Sequence, residues 1–198
     1  YPADRPGPEP LQRGAPINEE EDMQRLGLVV VLAAVVAGGD PVWTLSREAG
    51  KAGDFLVLTS ATMTVKLTEA QFWTLDSITV GGQALVGPTG ANGAVCHVSG
   101  AAGEKLDDPW IGTGHGKEVL RQFTIRGDGE PVTVAVGQSV RADEFVLTKE
   151  SNIGPLDERA VMTFPGRGDR IVERVTFTAV EDLSRRFRFV YGWMHCTG

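Results

Sequence analysis

Residues 63–67 have the sequence Met-Thr-Val-Lys-Leu, in which apolar and polar side chains alternate strictly. Successive side chains of an extended strand point to opposite faces, so this alternation gives one apolar and one polar face. The same pattern recurs at 132–136, 175–179 and 186–193. A continuous apolar run, Phe55-Leu56-Val57-Leu58, is typical of a central strand. The patterning therefore predicts an all-β chain.

Turn-forming residues separate these segments, for example Gly81-Gly82 and Gly127-Asp128-Gly129. The whole chain has 25 glycines and 11 prolines. Between Trp73 and Val80 the alternation slips by one residue, which predicts a β-bulge or a bend. Helix signals are confined to single turns at 68–72 and 139–145. Short strands at this spacing predict an antiparallel β-sandwich, jelly-roll-like, over residues 26–198.

The first 25 residues differ from the rest. Their prolines (Pro2, Pro6, Pro8, Pro10 and Pro16) disfavour helix and sheet, which predicts an extended arm, either a disordered tail or a segment lying on a neighbouring subunit. The apolar stretch 26–38 is too short to span a bilayer comfortably. It follows four acidic residues, 19–22, where a signal peptide would carry basic ones. We expect this stretch to form one or two buried strands.

The formal net charge of the 198-residue chain is -7. An acidic chain is not drawn to nucleic acid by its overall field, so no nucleic-acid partner is expected. Two cysteines do not make a disulfide framework. Cys96 and Cys196 are either buried thiols or a single bridge between the last strand and the middle of the chain.

The sequence predicts no catalytic residue, no cofactor and no metal site. His97 and His195 each adjoin a cysteine, but adjacent residues on a strand face opposite ways and cannot easily share one metal. The segment 112–117, Gly-Thr-Gly-His-Gly-Lys, departs from a phosphate-binding loop because Ile111 and Glu118 stand where Gly and Ser or Thr are required. The acidic doublets are not fixed in space by any pattern, and no Gly-x-Ser-x-Gly nucleophile motif occurs.

Two regions are candidates for contact with a partner. The first is a long loop at 105–118, and the second is a basic stripe on the terminal strand, where arginines alternate with Phe187 and Phe189. The predicted contact residues are Trp110, Asp107, Asp108, His115, Arg186 and Arg188. A solvated loop and a solvated strand face are the alternatives. Arg-Gly-Asp occurs at 126–128 and 167–169, either as ordinary turn chemistry or as an attachment motif.

Three segments carry a resemblance to a known kind of protein: Ala-Gly-Asp-Phe-Leu-Val-Leu at 52–58, Phe-Trp-Thr-Leu at 72–75 and Gly-Gly-Gln-Ala-Leu-Val at 81–86. Together they resemble a β-sandwich module of bacteriophage virion proteins and bacterial surface proteins, over about residues 28–198. The resemblance implies a non-catalytic part of a virus particle, such as a capsid decoration, head fibre or tail protein.

The first functional hypothesis is therefore a virion structural protein that acts through subunit–subunit contacts, as a homo-oligomer or with other virion proteins. The alternative is a carbohydrate-binding or adhesive module, extracellular or at a cell surface, in which Trp110 and the loop acids contact a glycan. An enzyme ranks last, because no His-x-His motif and no fixed acid–base pair is visible.

Overall fold

The computed structural model describes residues 26–33, 43–87, 93–99, 110–113, 115–166, 170–180 and 186–192, with the backbone alone for 26–33, 98–99 and 186–192. In these ranges the chain forms fifteen strands and one 3-10 turn, Glu69–Gln71. The predicted all-β antiparallel sandwich is confirmed. The arm predicted for residues 1–25 lies outside the described ranges. No helix in them is long and apolar enough to cross a membrane.

The strands form three antiparallel sheets. Sheet A has the order β1-β14-β13-β12-β9-β10 and contains β1 (Leu26–Ala33), β9 (Glu118–Gly127), β10 (Glu130–Pro131), β12 (Phe145–Ile153), β13 (Leu156–Phe164) and β14 (Arg170–Ala179). Sheet B has the order β11-β2-β3-β4-β5-β6 and contains β2 (Trp43–Glu48), β3 (Phe55–Thr59), β4 (Met63–Thr68), β5 (Thr74–Val80), β6 (Gln83–Val86) and β11 (Ser139–Ala142). Sheet C has the order β15-β7-β8 and contains β7 (Gly93–Ser99), β8 (Trp110–Gly112) and β15 (Arg186–Gly192).

Sheet A carries two separate apolar clusters on its inner face. Residues such as Phe145 and Phe164 pack with Trp43, Leu58 and Val65 of sheet B in the larger cluster. The smaller cluster joins sheet A to sheet C through Ile153, Leu156, Val175 and Phe177 of sheet A and Ala94, Cys96 and Ile111 of sheet C. The chain passes from β10 of sheet A to β11 of sheet B and then returns to sheet A with β12. This change of layer between successive strands is the jelly-roll-like feature of the topology.

In β4, which pairs with a strand on each side, the burial of the side chains follows the predicted alternation of apolar and polar residues. Met63, Val65 and Leu67 are buried and their neighbours Thr64 and Lys66 are half-buried. The predicted bulge is present in β5, whose register against β4 shifts so that Lys66 pairs with Ser77 and Leu67 with Leu75. The single turn predicted at 68–72 is the 3-10 turn.

Two sequence predictions are wrong. Residues 132–136 form no strand: Val134 is buried in the core, but the segment makes only an isolated bridge from Val136 to Arg47. The second predicted helical turn, at 139–145, is instead strand β11 over Ser139–Ala142, paired with β2, and Phe145 begins β12. In both cases the presence or absence of a ladder partner decides the backbone, and the local pattern does not show it.

The first Arg-Gly-Asp tripeptide is part of a tight hairpin between β9 and β10. Asp128 and Gly129 both have positive φ, 50° and 84°, as a two-residue hairpin turn requires. The Asp128 carboxylate accepts hydrogen bonds from the backbone N–H groups of Asp143 and Glu144 at 3.3 and 2.9 Å. This tripeptide is therefore engaged in turn structure, and the copy at 167–169 lies outside the described residues.

Trp43 provides a test of the interface between sheets A and B. Its side chain is fully buried, its indole N–H donates to the carbonyl of Pro165 at 3.0 Å, and its ring meets Phe164 edge-on at 5.4 Å. We expect Trp43→Ala to lower the free energy of unfolding by about 3–5 kcal/mol. Leu85→Ala, at an exposed position of β6, should change it by no more than about 0.5 kcal/mol. Urea denaturation of both variants measures the difference, and equal losses would contradict the assigned packing.

Candidate functional site

The structure brings three of the predicted contact residues together on sheet C. The β-ladder places Arg188 of β15 opposite His97 of β7, and His97 opposite Trp110 of β8. His115 follows in the turn after β8, with its ring centre 5.9 Å from that of Trp110. We call His97, Trp110, His115 and Arg188 the Trp110 patch.

The other predicted contacts are Asp107, Asp108 and Arg186. Asp107 and Asp108 lie outside the described residues, and Arg186 pairs with Ser99, two positions along β15 from Arg188. The expectation that Trp110 belongs to a long loop is wrong, because Trp110 begins a short strand held against β7. This pairing fixes the backbone of Trp110 and gives it a defined neighbour, His97.

Trp110 is half-buried and has an imidazole on either side. The His97 ring meets the indole edge-on at 4.8 Å, and the His115 ring is tilted 31° to it. His115 itself is exposed. The Nδ1 atom of His97 is buried and has no hydrogen-bond partner within the described chain. The patch thus combines aromatic surface with a polar atom that the rest of the described fold leaves unsatisfied.

The turn after Trp110 also connects sheet C to the interior of sheet A. Gly112 has φ of 112° and lies so close to the Ala94 carbonyl that a side chain would collide with it. The next residue, Thr113, donates its backbone N–H to the same carbonyl at 2.9 Å. This geometry buries the Thr113 hydroxyl, which donates to Oε2 of Glu118 at 3.2 Å.

Glu118 belongs to a network of charged side chains buried in the middle of sheet A. The Lys149 Nζ atom lies 2.9 Å from Oε1 of Glu118 and 2.9 Å from Oε2 of Glu158. The Ser151 hydroxyl lies within hydrogen-bond distance of the same two oxygens, at 2.9 and 3.0 Å, and donates to one of them at a time. The side chains of Glu118, Lys149 and Glu158 are only 0, 6 and 2% exposed. We call Glu118, Lys149, Ser151 and Glu158 the Lys149 network.

The network is held together by charge. Burial alone lowers the pKa of Lys149, but the carboxylates of Glu158 and Glu118 and their hydrogen bonds outweigh burial, so its pKa lies above the ordinary value. Lys149 is therefore an ammonium ion shared by two carboxylates. A buried charge that is paired on both sides in this way costs far less than an isolated one.

A small cavity adjoins the network between the sheets. It measures about 30 Å³, which is room for one or two water molecules. Its lining includes Lys149, Glu158 and Glu173 from sheet A, Gly93 from sheet C and Trp73 from the turn before β5. Water in this cavity would lie against Lys149, Glu158 and Glu173.

Trp73 lines this cavity, and its backbone has an uncommon conformation. Phe72 and Trp73 have φ of 56° and 61°, a region that bulky side chains rarely adopt. The Trp73 ring is stacked on Phe123 at 5.2 Å, and the Arg47 guanidinium lies 5.3 Å from its centre. Arg47 is itself held by Asp54 and Glu69 at 2.8 and 3.3 Å. The turn is thus kept in place by the stacking of Trp73 on Phe123 and by the contact of Trp73 with the anchored Arg47.

Cys96 is fully buried beside the network and has no disulfide partner among the described residues. Burial raises the pKa of the Cys96 thiol to about 12, and the negative charge of Glu158 adds to this effect. A thiol with this pKa stays protonated at neutral pH and is a poor nucleophile. Cys196 lies outside the described residues, so a bridge between the two cysteines stays a prediction.

Sequence reasoning missed the Lys149 network although part of its signal was present. The buried positions of β12 alternate as Phe145, Leu147, Lys149, Ser151 and Ile153. Lys149 and Ser151 stand where the alternation requires inward-facing side chains, and Glu158 does the same on β13. That pattern marks buried polar residues, but it does not reveal that they meet on neighbouring strands.

No protein family model matches this chain, and neither the curated proteins nor the solved structures contain a significant match. Among the residues described, no three histidine, cysteine, aspartate or glutamate side chains are grouped as metal ligands would be.

Lys149→Met tests whether the buried ammonium is needed for stability. The substitution leaves two buried carboxylates without a cation, so we expect a loss of about 3–5 kcal/mol in the free energy of unfolding at neutral pH. Lys66→Met is the control, since the Lys66–Glu48 pair is exposed and should cost no more than about 1 kcal/mol. Combining Lys149→Met with Glu118→Gln and Glu158→Gln should recover part of the loss. Similar losses for the two single variants would show that the network is not a stabilising unit.

Alkaline pH tests the environment of Cys96. Its pKa is raised in the fold, so its contribution to stability is complete below the unfolded-state value of 9.0 and is lost as the pH rises towards about 12. In a Cys196→Ser background, urea titrations from pH 8 to pH 11 should show stability falling with pH. Cys96→Ala should reduce this fall by up to about 1.4 kcal/mol per pH unit. An identical pH dependence for both proteins would mean that the thiol is not buried in solution.

Proposed function

We propose that this chain is a non-enzymatic structural protein of a virion, and that it acts through subunit–subunit contacts made by the Trp110 patch. The supporting observation is the convergence of Trp110 and His115, from β8 and the turn after it, and Arg188, from β15, around His97 on sheet C. Tryptophan and arginine are the residue types most enriched at the energetic centres of protein interfaces. The virion location follows from the resemblance of the sequence to phage β-sandwich modules.

The buried interior is consistent with a scaffold role. Both oxygens of Glu118 are occupied, by Lys149 and Ser151 on one side and Thr113 on the other. The Cys96 thiol is kept protonated by its surroundings. These groups are engaged in holding sheets A and C together, whereas His115 of the Trp110 patch is exposed.

A carbohydrate-binding module is the second candidate, because a half-exposed indole is also a surface on which a sugar ring stacks. The two functions differ in the assembly they require. A subunit of a particle needs repeated contacts between copies of the chain or with other virion proteins. A carbohydrate-binding module does not require such contacts between copies.

Size-exclusion chromatography with light scattering tests the contact role. We expect the parent protein to form an oligomer, and Trp110→Ala to shift it towards the monomer, because truncating an interface hot spot costs about 2 kcal/mol or more. Leu85→Ala, at an exposed position on β6, should leave the oligomer unchanged. Circular dichroism should show that both variants keep the β fold.

A parent protein that is monomeric at all concentrations, and that does not copurify with virus particles, would contradict the structural role. Glycan-array binding by that monomer, abolished by Trp110→Ala, would instead support the carbohydrate-binding module.

A further inference from the structure

The outer face of sheet A carries an excess of positive charge. The side chains that alternate with its buried residues include five exposed arginines, whereas the carboxylates among them on β12 and β13 are Glu150 and Asp157. The exposed arginines are Arg121, Arg126, Arg159, Arg170 and Arg174. This is a basic face on a chain whose net charge is -7, so charge is segregated on the molecule.

A shallow groove of about 320 Å³ crosses part of this face. Two ion pairs line it: Arg121 lies 2.8 Å from Asp157, and Arg159 lies 3.3 Å from Glu150. The hydroxyl-bearing residues Thr176 and Thr178 line it on β14. The bulge of β9 contributes to this arrangement, because it leaves both Arg121 and Gln122 exposed before the alternation resumes at Phe123.

A ligand can replace one partner in each of these two ion pairs. Their side chains are 33–58% exposed, and exposed pairs contribute little to stability. Opening such a pair to bind a ligand therefore costs little. The β12–β13 and β13–β14 ladders underneath are continuous, so the groove is presented on a regular sheet.

Arg174 adds a further cation on the same face, beside Arg159 and outside the residues that line the groove. It pairs with Val161, the residue two positions after Arg159 on β13, so the two arginines are diagonal neighbours with Cβ atoms about 7–8 Å apart. No described residue forms an ion pair with Arg174. Two guanidinium groups at this separation repel each other and favour an anion placed between them.

The remaining groups of the groove restrict the kind of anion. A ligand that carries only negative charge would be repelled by Glu150 and Asp157. A ligand with both carboxylates and hydroxyls can place the carboxylates on Arg159 and Arg174 while its hydroxyls donate to Glu150 and Asp157. Uronic acid sugars have this combination of groups. We infer that the groove binds an acidic polysaccharide through its uronate residues.

Calorimetric titration with oligosaccharides of galacturonate, alginate and hyaluronan tests this inference at physiological ionic strength. At least one of the three should bind. The methyl ester of the bound oligosaccharide, which keeps the hydroxyls without the charge, and polyglutamate, which keeps the charge without the hydroxyls, should each bind at least about tenfold more weakly.

Variants of the groove separate sugar recognition from simple charge attraction. Arg159→Ala and Arg174→Ala should each weaken binding about tenfold or more. Arg141→Ala removes the same charge from an exposed position of β11 and should have no such effect. Glu150→Ala should also weaken binding, because the hydroxyls lose their acceptor, whereas a purely electrostatic site would bind more tightly after this change.

The inference would be overturned by no binding of any of the three oligosaccharides, by equal binding of polyglutamate, or by tighter binding of the oligosaccharide by Glu150→Ala. Loss of binding in Trp110→Ala with full binding in Arg174→Ala would also overturn it and would place the sugar on the Trp110 patch. The inference depends on the outer face of sheet A alone, so a monomeric protein that fails the assembly test can still pass this one.

Discussion

The ion pairs of Lys149 with Glu118 and Glu158 are the interaction on which the arrangement of sheets A and C depends. Three neighbouring strands of sheet A contribute one charged residue each, and Thr113 completes the set from the turn after β8. Because these charges are removed from water, each requires its partner to be in place. The network therefore fixes the register of β9, β12 and β13 and the position of sheet C over them.

This constraint divides the interior in two. Along the inner face of β12, Phe145 and Leu147 belong to the cluster shared with sheet B, and Ile153 belongs to the cluster shared with sheet C. Lys149 and Ser151 lie between them. Sheets B and C therefore pack on the same face of sheet A, and Lys149 and Ser151 form a polar boundary between the two apolar clusters.

The opposite face of sheet A does not take part in these two apolar clusters and carries the exposed arginines. The two proposed contact regions, the Trp110 patch and the arginine-lined groove, consequently lie on opposite sides of sheet A.

Strands were predicted best from the sequence where the local alternation of apolar and polar residues was strong. Met63 to Leu67 and Val175 to Ala179 alternate, pair on both sides and form the strands expected of them. Val132 and Val134 also point inward, but their segment finds no ladder partner, and alternation alone cannot show that. The candidate patch was foreseen in part: Trp110, His115 and Arg188 were identified one by one. Their meeting depends on the pairing of β7 with β8 and of β15 with β7, and the second of these joins segments about ninety residues apart.

The sequence by itself determined that the chain is β-rich, where most strands lie and which of their faces is apolar. These properties depend on neighbouring residues and on the two-residue period of an extended backbone. Tertiary structure alone decided which strands are neighbours, that Lys149 is shared by two carboxylates, and that arginines of different strands line one groove. Each of these requires residues distant in the chain to meet, and their meeting is set by the balance of burial and charge over the whole fold.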